Sequence, residues 1–221
     1  MVPIKFQTTE FLEGVTPKKF KSDILSMCEN HKNQGRALAY AFLMYDFENP
    51  QIAEVLENKN YWNALHKMSG KYLSVFYLNS TEEHFAEDLN NQSGVERREL
   101  HGIDSFEGLS SMIAPYFDLE YKVKLPSILF FQTRGRMITD YFIIELNEEK
   151  IEDSFLELKS YIKVAVESLK GVKPENYRNS ESIFDLLKRG VEGEKIRKVF
   201  FKNIKTFPVQ LVINWFIGKC F

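Results

Sequence analysis

The sequence predicts an α/β domain, a three-layer sandwich around a central mixed sheet, followed by a helical C-terminal extension. Three observations lead there. Short apolar runs rich in aromatic and β-branched residues alternate with longer stretches whose apolar residues recur at helical spacing. The stretch Lys124 to Leu146 reads as two strands around Thr133-Arg134-Gly135-Arg136, an antiparallel hairpin in which Gly135 is free to take positive φ. Leu125-Pro126 stands at the mouth of the first of these strands. A proline there removes a ladder donor, and a cis peptide is expected.

Taken in order, Ile4 to Thr9 reads as a short strand. Thr16 as N-cap and Pro17 in the first turn start a helix whose apolar stripe is Phe20, Ile24, Leu25, Met27 and Cys28. Gly35 closes that region. Ala37 to Phe47 is nearly all apolar, as a strand covered on both faces must be. Asn49 and Pro50 then open a helix predicted to run to about Met68, with Ile52, Val55, Leu56, Trp62, Leu65 and Met68 inward. Tyr72 to Leu78 is a second buried strand.

Residues 79–102 are polar and form an excursion, with a short helix near Glu82 to Leu89. Ser105 caps a helix to about Tyr116, and the hairpin follows. Asn147 is expected to open a long helix, Glu148 to Leu169. Lys170 to Asn179 contains glycine and proline and reads as a linker. Beyond it, Ser182 with Asp185 looks like a capping box, starting a helix to Arg189. A basic helix from about Glu192 to Lys205 precedes an apolar tail.

Composition narrows the class. The chain has 221 residues, 44% hydrophobic and 27% charged, which is enough for one ample core. Met1 to Leu12 holds no apolar leader, and no run reaches the roughly 18 apolar residues that cross a bilayer. Cys28 and Cys220 lie near opposite ends, so a disulfide framework is not expected and a cytoplasmic location is. The net charge of −2 hides an asymmetry: −8 up to Leu169 and +6 from Lys170 onward. A basic segment of this kind either packs on the acidic body or forms a binding surface.

Several chemistries lack their residues. No Gly-x-Gly-x-x-Gly, Walker loop, Gly-x-Ser-x-Gly or His-Glu-x-x-His is present. Glu82-Glu83-His84 and Glu96 to His101 match no zinc spacing and read as solvated charges. Arg134-Gly135-Arg136 reads as a solvated turn. Neither a metal nor a cofactor is expected.

The element order, with proline before the fourth strand, resembles the thioredoxin fold from roughly Ile4 to Leu169. The closest stretch is Pro126-Ser-Ile-Leu-Phe-Phe-Gln-Thr-Arg-Gly-Arg, similar to that family's cis-proline, buried strand and glycine turn. Gly70-Lys-Tyr-Leu-Ser-Val-Phe-Tyr-Leu-Asn resembles its third strand. The resemblance implies a thioredoxin-like domain over residues 1–170 and a basic helical extension over 171–221. It also places a Cys-x-x-Cys at the start of the helix after the central strand, where the helix N-terminus activates the first thiol. Here that position reads Glu48-Asn49-Pro50-Gln51, so Glu48 and Gln51 replace both cysteines. The family's buried acid falls on Phe42. What the resemblance implies is the fold with its redox centre missing.

The expected function is therefore a non-catalytic protein-binding module. Its candidate binding residues are Glu48, Asn49, Pro50, Gln51 and Pro126, with Trp215 and Phe216 in the tail. The alternatives are a thiol-dependent oxidoreductase using Cys28 or Cys220, and a peripheral membrane adaptor acting through the basic and apolar C-terminal segment. A protein partner is expected, with a homo-oligomer through the tail as one form of it, and no nucleic acid.

Overall fold

The computed structural model describes residues 1–6, 17–45, 50–80, 117, 123–135, 137–147 and 150–206. The strands are β1 (Val2–Phe6), β2 (Ala39–Met44), β3 (Leu73–Ser80), β4 (Ser127–Arg134) and β5 (Met137–Glu145). Among the described residues the helices are α1 (Pro17–Asn33), α2 (Pro50–Glu57), α3 (Lys59–Ser69), α4 (Ile151–Lys170) and α5 (Ser180–Thr206), with a 3-10 turn at Pro174–Asn176. The five strands form one mixed sheet in the order β1-β3-β2-β4-β5. β3 runs parallel to β1 and to β2, whereas β4 runs antiparallel to β2 and to β5.

The pleat sorts the core into two layers. Ala39, Ala41, Leu43 and Tyr45 point to the face covered by α2, α3 and α4, together with Ile128, Phe130 and Ile144. Tyr40, Phe42 and Met44 point to the other face, against Ile24 and Cys28 of α1 and against Leu129 and Phe131. Every residue of β2 is buried, which explains its unbroken apolar sequence. β5 is an edge strand, and on it Phe142 and Ile144 are buried while Met137 and Tyr141 are exposed. A bulge beside Gln132 and Thr133 bends the end of the hairpin. There Gln132 Nε2 donates to the Leu38 carbonyl at 2.9 Å.

Several sequence expectations require correction. The first strand, Val2–Phe6, starts ahead of the expected Ile4, and Gln7 to Thr9 of the expected strand lie outside the described residues. The predicted helix from Pro50 to Met68 is two helices. Asn58 leaves helical geometry and caps α3, accepting from the N–H groups of Asn60 and Tyr61 at 3.0 and 3.3 Å. α4 starts at Ile151, and Asn147 does not cap it; Lys150 holds the N-cap position without a side-chain cap bond.

The two predicted C-terminal helices are one, because neither Gly190 nor Gly193 breaks α5. Its cap is Asn179 and not Ser182, since Asn179 Oδ1 accepts from the Ser182 N–H at 3.1 Å. Ile183, Phe184, Leu187 and Val191 of α5 join the same core as the sheet, with Phe184 edge-on to Phe142 at 5.5 Å. The expected helices at 82–89 and 105–116 and the tail after Thr206 lie outside the described residues.

Candidate functional site

Two ends of the sheet carry features of interest. At one, β2 terminates with Met44 opposite Ser127, the first residue of β4. The Leu125–Pro126 peptide entering β4 is cis, and both residues are buried. The Pro126 carbonyl accepts from the Leu146 N–H at 2.8 Å, tying the entry of β4 to the exit of β5. Ser127 Oγ donates to the Lys124 carbonyl. On the outside, Lys124 and Glu145 approach to 3.6 Å with both side chains exposed.

The register therefore sets Pro126 beside the end of β2, from which the chain leads to Pro50 and α2. Gln51 is half-buried on α2. Glu48, Asn49, Trp215 and Phe216 lie outside the described residues, as does Cys220.

Cys28 is fully buried on the α1 side of the sheet, whereas α2 packs on the other side. Burial pushes its thiol well above the ordinary value, so the thiolate that redox chemistry requires is suppressed. The Tyr40 hydroxyl donates to the Cys28 carbonyl at 2.7 Å and fixes the backbone there. Tyr40 and Tyr45 are likewise shifted upward by burial. All three side chains are buried in the core.

At the other end of the sheet is a recess of about 380 Å³ that no spacing in the sequence announces. Three basic residues line it: Lys32 at the end of α1, Lys71 before β3 and Arg178 before α5. Tyr72 and Tyr177 are also in its wall, and Ser180 brings the first turn of α5 to it. The apolar floor includes Ala37 and Ile183, both buried. The sequence gives no signal for the site because each cation follows or precedes a different element. The pairing of β2 with β3 and the packing of α5 on the sheet bring them together.

Comparison with protein-family models, with curated proteins and with solved structures finds no match to this chain. Among the described residues there is no group of His, Cys, Asp and Glu placed to hold a metal ion. Nor, among them, is any helix long and apolar enough to cross a membrane.

Proposed function

We propose that this chain is a thioredoxin-like protein-binding module that carries out no dithiol chemistry and meets its partner at the Pro126 edge. The observation that supports this reading is the strand order. Two parallel pairings on one side of β2, two antiparallel pairings on the other, and a proline at the entry to β4 resemble the arrangement of that fold. The edge at the end of β2 is where open α/β sheets place their ligands, outside the carboxyl ends of the parallel strands. At the matching position the sequence offers Glu48 and Gln51 in place of two thiols. Cys28 is packed away from solvent and supplies no nucleophile to this edge.

A photo-crosslinking amino acid in place of exposed Lys124, beside Pro126, tests the reading. The same group in place of exposed Lys163 on α4 is the control. Irradiation in native lysate is expected to give a discrete protein adduct from position 124 and none from position 163. Identical adduct patterns from both, or none from either, would refute the binding edge. A parallel insulin-reduction assay is expected to give no turnover. Activity abolished by Cys28→Ser or Cys220→Ser would convert the protein into a thiol oxidoreductase.

A further inference from the structure

We propose that the recess at the far end of the sheet binds a small organic phosphate, with the phosphate held by Lys32, Lys71 and Arg178 and its body against Tyr72 and Tyr177. The site is independent of the Pro126 edge and on the opposite end of the strands.

Charge is the first argument. Among the described residues, three cations and no carboxylate line the recess, on a chain whose net charge is −2. Among the described residues, none of the three forms an ion pair with an acid. A dianion is the complement of three cations lining one cleft. A cleft lined by one sign also concentrates the field that draws such a ligand in. Arginine adds a planar fork that matches two phosphate oxygens at once, and lysine adds a point charge.

The backbone acts in the same direction. α5 is 27 residues long, and its first residue, Ser180, lies in the wall, so the positive end of the helix faces the recess. Lys32 belongs to the last turn of α1, whose carbonyls would oppose an anion. Three of them already accept a hydrogen bond: Asn30, His31 and Lys32 from the N–H groups of Gln34, Arg36 and Gly35 at 3.0, 2.8 and 3.0 Å.

Size selects the class of phosphate. At about 380 Å³ the recess is near the lower limit of the roughly 300–1,000 Å³ typical of small-molecule sites. A mononucleotide or sugar phosphate is of that order, and a polymer is not. Glu175 and Glu181 flank Arg178 and Ser180 in the chain without lining the recess, and they oppose an extended polyanion. Lys71 Nζ stands 5.6 Å from the centroid of the Tyr72 ring, so cation and aromatic surface are already paired in one corner.

The test uses the full chain with AMP and ribose 5-phosphate as probes, and adenosine and ribose as their phosphate-free counterparts. Thermal midpoints and amide chemical shifts are followed at constant ionic strength. Both phosphates are expected to raise the midpoint and to shift resonances around Lys32, Lys71 and Arg178, while adenosine and ribose do neither. Lys71→Glu and Arg178→Glu, at exposed positions, are expected to melt as the parent does and to weaken binding about tenfold or more each. Lys71→Arg should keep binding. No response to either phosphate at millimolar concentration would overturn the proposal. So would undiminished binding by the Glu variants, or equal binding of adenosine.

Discussion

Gly190 of α5 lies so close to Ser168 of α4 that any side chain at 190 would overlap the serine hydroxyl. A carbon built there stands 3.2 Å from Ser168 Cβ and 3.6 Å from Val164 Cγ1. The glycine is the contact that lets two long helices cross, and α5 continues through it unbroken. Ser168 Oγ is meanwhile held by the Val164 carbonyl at 2.9 Å, so moving it costs a hydrogen bond. Gly190→Leu is therefore expected to destabilise by about 1–3 kcal/mol, as overpacked interiors do. Gly193, three residues on, has nothing within 4 Å of the corresponding position. Gly193→Ala is expected to stabilise by up to about 1 kcal/mol through helix propensity alone. Urea midpoints of the two variants should move in opposite directions, and movement in the same direction would contradict the crossing.

Asn58 separates α2 from α3 by accepting two N–H groups of the next turn. Asn58→Ala should cost about 1 kcal/mol, whereas Asn58→Asp should keep most of the stability because the acceptor remains. If α2 and α3 were one continuous helix, alanine would be the better residue and the variant would melt higher than the parent.

The Cys28 thiol is both inaccessible and, through burial, held protonated. In a Cys220→Ser background, labelling with a thiol reagent at pH 8 is expected to proceed no faster than unfolding. Addition of urea should accelerate it in step with loss of structure. Rapid labelling of the native protein would restore Cys28 as a candidate nucleophile.

Glu194 is buried on α5 and accepts a fork from Arg197, with Nε and one terminal nitrogen each 2.7 Å from a carboxylate oxygen. The Arg197 hydrogen bonds hold its pKa below the ordinary carboxylate value. Burial opposes the shift, and the Ser160 hydroxyl adds to it. A folded pKa below the unfolded one means the unfolded chain binds more protons in acid. The stabilisation is therefore complete above the unfolded value of about 4.3 and disappears as pH falls through the folded value. Glu194→Gln should be less stable than the parent at neutral pH, with the gap narrowing in acid. Stability curves that stay parallel from neutral pH into acid would show that the carboxylate charge contributes nothing.

The sequence by itself determined the elements whose neighbours are dictated by period and composition. β2 was legible because a strand covered on both faces must be apolar at every position, and Ala39 to Met44 are all buried. The hairpin was legible because Gly135 adopts a φ of 59° in the turn between two β-rich runs. Proline at the entry to β4, with its cis bond, was legible for a similar reason, since few backbone settings accept it.

Only the tertiary structure decided the rest. Whether Gly190 ends a helix or admits a neighbour depends on what stands opposite, and local sequence does not contain Ser168. Asn58 could be read as an ordinary helical residue until its side chain turns to the N–H groups of the next helix. The recess was least legible of all, because Lys32, Lys71 and Arg178 have no common spacing and each, taken alone, is a solvated surface charge. Their meeting is set by strand pairing and by the placement of α5 on the sheet, contacts between residues far apart in the chain. A linear pattern records a site only when one element carries it.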